Sequence, residues 1–310
     1  MPAGEQIPRH DDRERTIVVG VDGSQQARLA VKWASDEARR RDATLEVIHA
    51  QIGEPEHLPG WYEEDASGVA PGQAVVDDAV ALVATRHPSL AVRGQVAEWP
   101  TSLVLTSASR SADLLVVGAR GRGGFSGLLL GSVSDQCTQY AHCPVAVVRS
   151  EPDDPIYRTA EPRIVVGIDG SSGSTRALRW ALDEARTRSA SVEAVFAWHY
   201  PSIRALVTAP FTGYEEAARQ VVESAVSEAS QWAPEVQFSA SDRVDPTVPA
   251  LLDACTGAEL LVLGSRGHGG FLDALLGSVA HQCAHHAPCS VVVVRPHLDE
   301  GDAASGGSAP

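Results

Sequence analysis

Short apolar runs alternate with amphipathic stretches along most of the chain. Ile17–Val21 is a β-branched run of strand length, too short for a helix and apolar throughout, so it predicts a buried strand. The next stretch places Ala27, Ala30, Val31, Ala34 and Ala38 on one helical stripe. The alternation continues with a strand over Thr44–Ala50, a helix over Gln73–Thr85 and a strand over Ala91–Val96. A helix over Thr101–Ser109 follows, with Thr101 as its expected cap, then a strand over Leu114–Val117. A glycine-rich loop, one more helix and a strand over Val145–Val148 complete the series. Apolar strands separated by helices predict a parallel sheet covered on both faces, the doubly wound α/β architecture.

The series is written twice. Ile17–Ala50 aligns without gaps to Ile164–Ala197 with 18 of 34 positions identical, and Leu114–Arg149 aligns to Leu260–Arg295 with 22 of 36. Such agreement over whole strand–helix units means one duplicated domain. The expected organisation is a flexible N-terminus over 1–14, a first domain over 15–150, a linker over 151–162, a second domain over 163–297 and a disordered tail over 298–310. The linker is Pro-rich and acidic, and the tail is rich in Gly, Ala, Ser and Asp.

Composition narrows the partners. The net charge of −15 lacks the basic footprint that nucleic acid requires. No apolar run reaches spanning length and Met1–Arg15 has no apolar signal core, so neither membrane nor secretion is expected and the cytoplasm is. The five cysteines (Cys137, Cys143, Cys255, Cys283 and Cys289) read as reduced thiols.

Two segments per repeat fall at the carboxyl ends of strands, where ligands of open α/β sheets bind. The first is Gly20-Val21-Asp22-Gly23-Ser24, repeated as Gly167-Ile168-Asp169-Gly170-Ser171. Its carboxylate can accept hydrogen bonds from a ligand; taken alone, the segment reads first as a helix cap and tight turn. The second runs from Gly118 through Arg120, Gly121, Arg122, Gly123 and Gly124 to Gly131, Ser132, Val133 and Ser134. Its twin runs from Gly264 through Arg266, Gly267, His268, Gly269 and Gly270 to Gly277, Ser278 and Val279. Glycines let backbone amides approach an anion, and the Gly-Ser pair opens a helix whose N-terminus favours phosphate. Lys32 is the only lysine and lies in the first helix, which excludes the G-x4-G-K-[ST] phosphate loop. The glycines follow the fourth strand instead of the first, which disfavours a dinucleotide-binding dehydrogenase.

The spacing G-x2-G-x9-G-S in both halves, with the VVGVDGS and VVGIDGS starts, resembles the universal stress protein family. The resemblance covers nearly the whole chain outside linker and tails and is nearest to tandem actinobacterial members. It implies a five-stranded parallel sheet per half in the order 3-2-1-4-5, and ATP, with Mg2+, held in each half. The glycine loop and Ser132 or Ser278 would hold ribose and phosphates. Asp22 and Asp169 would help fix the nucleoside, and the backbone at Ala50 and Ala197 would meet adenine. The halves would pair through their fifth strands, Val145–Val148 against Val291–Val294. His268 stands where the first loop has Arg122, which points to a weaker or pH-sensitive second site.

The implied role is a nucleotide-dependent regulator in stress, hypoxia or dormancy, acting on an unidentified protein partner, with a homodimer also open. No catalytic base emerges, so an efficient enzyme is not expected; a weak ATPase and a nucleotide-free interaction scaffold stand as alternatives. His281, Cys283, His285, His286 and Cys289 resemble metal ligands, but Val279, Cys283 and Ala287 form a helical stripe. The first repeat has Asp135, Gln139 and Tyr140 where the histidines stand, so no metal is expected.

Overall fold

The computed structural model describes residues 14–51, 71–121, 129–149, 161–199, 213–267 and 276–295. The expectations for the N-terminal segment, most of the linker and the tail therefore lie outside the described residues, as do Arg122, Gly123, Gly124, His268, Gly269 and Gly270.

The first repeat runs β1 (Thr16–Val21), α1 (Gln25–Arg41), β2 (Thr44–Gln51), α2 (Pro71–Arg86), β3 (Val92–Glu98), α3 (Thr101–Ala108), β4 (Leu114–Gly118), α4 (Ser132–Tyr140) and β5 (Val145–Val148). The second runs β6 (Arg163–Gly167), α5 (Ser172–Arg188), β7 (Ser191–Trp198), α6 (Tyr214–Trp232), β8 (Phe238–Val244), α7 (Thr247–Ala254), β9 (Leu260–Gly264), α8 (Ser278–His286) and β10 (Ser290–Val294). The ten strands form one sheet in the order β3-β2-β1-β4-β5-β10-β9-β6-β7-β8. Each half is thus parallel in the order 3-2-1-4-5, as the resemblance implies. The β5–β10 pair is antiparallel, with Val291 opposite Val147 and Val293 opposite Val145.

Strand side chains alternate between two buried layers. Ile17, Val19, Leu114 and Val116 pack under α1, while Val18, Leu115 and Val117 pack with Leu105 of α3 and Cys137 of α4. Burial on both faces explains why these strands read as apolar without alternation. Among the described residues no helix is long and apolar enough to cross a membrane.

Thr101 does not cap α3. The cap position is Pro100, with no side-chain bond, and the Thr101 hydroxyl donates instead to the Ala50 carbonyl at 3.3 Å. The equivalent Thr247 hydroxyl reaches the Ala197 carbonyl at 3.4 Å. The first-turn side chain thus ties α3 or α7 to the end of the neighbouring strand.

The halves are locked on both faces of the sheet by equivalent residues. On one face α1 meets α5, and fully buried Glu37 and Glu184 alternate with Arg41 and Arg188 in a closed four-residue ion-pair ring. Arg41 also lies over the Trp180 ring and Arg188 over the Trp33 ring, each 5.2 Å from the centroid. At the far ends of β5 and β10, Arg149 donates to the Ala284 carbonyl of α8, and Arg295 to the Thr138 carbonyl of α4 at 2.7 Å. Each half gives the other the same contact, as a two-fold interface requires.

Burial alone would raise the Glu37 carboxyl, but the charges of Arg188, Arg41 and Arg40 outweigh it and hold the group well below the usual carboxylate range. A depressed carboxyl contributes its stability above the unfolded pKa and loses it as pH falls. Replacing Glu37 by Ala strands buried guanidinium groups, so urea unfolding at neutral pH should lose about 3–5 kcal/mol. That deficit should shrink on acidification below about pH 4. A loss under about 1 kcal/mol would mean the ring behaves as a surface pair.

Candidate functional site

The turn after β1 closes on itself. Gly23 has φ 76° and Gly170 φ 80°, the left-handed region where glycine is at ease. Asp22 Oδ1 accepts the Ser24 amide at 2.9 Å, and the Ser24 hydroxyl accepts the Ala27 amide at 3.1 Å. Asp169 and Ser171 repeat both bonds, at 2.9 and 3.1 Å. The N-termini of α1 and α5 are therefore capped by the protein. The second oxygen of each aspartate faces the glycine loop, so close that a Cβ at Gly121 or Gly267 would strike it. Asp22 and Asp169 therefore lie against Gly121 and Gly267, the described starts of the loops that the sequence singled out.

The helices after β4 and β9 begin differently. Their cap residues are Gly131 and Gly277, which supply no side-chain acceptor. The Gly131 amide is anchored on the Ala119 carbonyl at 2.8 Å and the Gly277 amide on the Ser265 carbonyl at 2.7 Å. The first intrahelical bonds come from Asp135 to Gly131 and from His281 to Gly277. The amides of Ser132, Val133 and Ser134, and of Ser278, Val279 and Ala280, thus precede the helical ladder. They present the positive end of the helix dipole to whatever lies in front. The Ser134 hydroxyl is not part of that surface: it is buried and donates to the Gly118 carbonyl at 2.6 Å, pinning α4 to β4.

Several of the glycines singled out in the sequence are also needed by the protein's own packing. A Cβ at Gly118 would lie 2.9 Å from the Gln26 carbonyl carbon and oxygen, and one at Gly264 would lie 2.7 Å from the Gly173 carbonyl carbon. These two glycines let β4 and β9 pass the first turns of α1 and α5. Gly20 and Gly167 similarly accommodate Leu105 and Leu263, at 2.7 and 2.6 Å from the added Cβ. At Gly131 and Gly277 the fold imposes no such need. Among the described residues the nearest atoms to an added Cβ are 3.5 and 3.4 Å away, and φ is −80° and −69°.

In the second half these parts enclose a cavity of about 230 Å³. One wall is apolar, from Val195 and Ala197 of β7, Leu251 of α7 and Leu263 of β9. The other is the Gly277–Ser278–Val279 start of α8, with Asp169 and Arg266 beside it. Arg266 and its counterpart Arg120 are exposed. A second cavity of about 490 Å³ between α5 and α6 shares Ile168, Asp169 and Ser174 with the first. In the first half Ala50, Thr101, Asp22, Gly121 and Gly131–Ser134 occupy the equivalent places.

Sequence reasoning missed Thr247, Leu251 and Ser174 as lining residues. The Pro-Thr pair at 100–101 and again at 246–247 was the available signal. The cysteines take no part: all five are buried, and burial pushes the thiols of Cys137, Cys143 and Cys283 up to about 12, leaving them protonated.

Comparison with known proteins agrees with this architecture. The profile of the Universal stress protein family matches residues 14–149 and 162–295. A universal stress protein of Mycobacterium tuberculosis is 30% identical over 91% of this chain and 97% of its own length. One from Mycolicibacterium smegmatis is 34% identical over 91% and 98%. The crystal structure of a universal stress protein from Archaeoglobus fulgidus shares the fold, with TM-score 0.63, 16% identity, and coverage of 90% of this chain and 96% of that one.

The two kinds of glycine separate by mutation. Gly118→Ala should cost about 1–3 kcal/mol in urea unfolding, as overpacking does. Gly131→Ala should cost at most about 1 kcal/mol, the scale of a cap change. Equal losses at both would contradict the division.

Proposed function

The chain belongs to the universal stress protein family, and from that premise we propose that it binds ATP at the glycine-capped N-termini of α4 and α8 and acts as a nucleotide-dependent regulator. The observation that carries the reading is the cavity of about 230 Å³, which joins an apolar slot to an uncapped helix start. A purine has flat apolar faces and a triphosphate is an anion, so one ligand matches both walls. The adenine lies toward Ala197, or toward Ala50 in the first half. The phosphates meet the amides of Ser278 and Val279, or of Ser132 and Val133. Arg266 and Arg120 add positive charge beside the helix starts, in a chain whose net charge is −15. Asp22 and Asp169 support the glycine loop and face the ribose. Among the described residues the only cluster of three metal-ligating side chains lies elsewhere, so Mg2+ arrives with the triphosphate, as this reluctantly dehydrated ion usually does.

Binding, and not turnover, is the proposed role. Phosphoryl transfer requires a positioned base or water-orienting group beside its charge stabilisers. Among the described residues the site offers amides, arginines and, in each half, a carboxylate already engaged in the turn after β1 or β6. The output is a response to stress, hypoxia or dormancy in the cytoplasm, passed to a protein partner by the nucleotide-loaded form.

Mass spectrometry of nucleotide released from purified protein, with calorimetric titration of ATP, tests this. Wild type should carry or take up two ATP per chain. Gly131→Val/Gly277→Val, whose side chains stand over the helix starts, should lose uptake in both halves. Absence of uptake by wild type at millimolar ATP would overturn the reading, and ADP on the purified protein would show turnover in place of storage.

A further inference from the structure

On the sheet face opposite the Glu37 ring, α4 of the first repeat meets α8 of the second. His281 and His285 are four residues apart on α8, so both rings share one helix face. Asp135 of α4 points at them across the boundary. Its Oδ1 lies 3.3 Å from His281 Nε2 and 3.9 Å from His285 Nε2. All three ligand atoms lie within 4.8 Å of one another. The arrangement could be an ion pair, but two of its atoms argue otherwise. Asp135 Oδ1 and His285 Nε2 are buried and have no hydrogen-bond partner. Buried polar atoms are seldom left so. Asp135 Oδ2, in contrast, accepts the Gln139 side-chain amide at 2.7 Å, which fixes the carboxylate with Oδ1 turned to the histidines.

We propose that Asp135, His281 and His285 form a binding site for a divalent transition metal of the zinc class, bridging the two repeats. Two imidazoles and one carboxylate suit Zn2+, Co2+ or Ni2+ and not the all-oxygen preference of Ca2+ or Mg2+. Donors about 2.0–2.1 Å from a tetrahedral centre stand about 3.3 Å apart. The Asp135–His281 pair already has that spacing, and His285 Nε2 stands 3.9 Å from the same carboxylate oxygen. Gln139 is the outer partner that such carboxylate ligands usually have. The nearby Arg149 has two of its nitrogens committed to the carbonyls of Leu129 and Ala284. His281 is 44% exposed, so a fourth position is open to water. The sequence shows the two histidines but not their partner, because neither repeat holds the site alone. Position 135 in the first repeat corresponds to His281, and the ligand set forms only when the two copies face each other.

The test uses the full, untagged chain, stripped with chelator and free of nucleotide, titrated with Co2+ and then Zn2+. Wild type should bind one Co2+ per chain with the absorption of a tetrahedral centre, Zn2+ should displace it, and saturating Zn2+ should raise Tm by about 5 °C or more. His281→Ala and His285→Ala should each remove the tetrahedral signal and the Tm shift. Gln139→Ala should weaken binding by about tenfold, a change not expected of a merely structural pair. Melting without metal shows whether each variant still folds. A wild type that binds no Co2+, or a folded His285→Ala that binds it as before, would overturn the proposal.

Discussion

The inner edge of each half-sheet is the constraint on which the structure depends. β5 is Val-Ala-Val-Val and β10 is Ser-Val-Val-Val-Val, and every residue of both is buried. Such a strand cannot end a sheet in water, because its free N–H and C=O groups would recruit another chain. The outer edges are built otherwise: β3 carries Arg93, Gln95 and Glu98, and β8 carries Asp242 and Arg243. Duplication lets the two apolar edges satisfy each other within one molecule, and their antiparallel register fixes a two-fold relation between the repeats.

Much of the remaining structure follows from that axis. Equivalent residues from the two repeats meet beside it, so the Glu37–Arg188 and Glu184–Arg41 contacts occur as a pair, as do the Arg149 and Arg295 reaches. Where the repeats differ in sequence, the axis brings unlike groups together. Asp135 facing His281 and His285 is the clearest case. The candidate ligand cavity lies away from the axis, at the carboxyl ends of the parallel strands, where the helices after β6 and β9 turn to opposite faces of the sheet. One of those helices is capped by a serine side chain and the other by glycine, and that difference localises the proposed anion-binding end.

The fold was legible in sequence because doubly buried strands and amphipathic helices leave strong, repeated patterns. The Gly-Ser helix starts were equally plain. The roles of individual glycines were not. Spacing cannot distinguish Gly118, which yields to the Gln26 carbonyl, from Gly131, which among the described residues has no neighbour closer than 3.5 Å to an added Cβ. Thr101 has the composition of a cap, but Pro100 already fixes the entry to α3, and the hydroxyl goes to Ala50. Beyond the fifth-strand pairing that the resemblance implies, side-chain contacts across the axis were invisible for a simpler reason. Glu37 and Arg188 are separated by 151 positions, and no local periodicity reports which faces of two repeats will meet.

The most direct measurement is a crystal structure of the full chain grown with ATP and Mg2+. The account predicts phosphate oxygens within hydrogen-bond reach of the Ser132 and Val133 amides in one half and the Ser278 and Val279 amides in the other, with the bases toward Ala50 and Ala197. Nucleotide seated between α5 and α6, with both helix starts left to solvent, would contradict it.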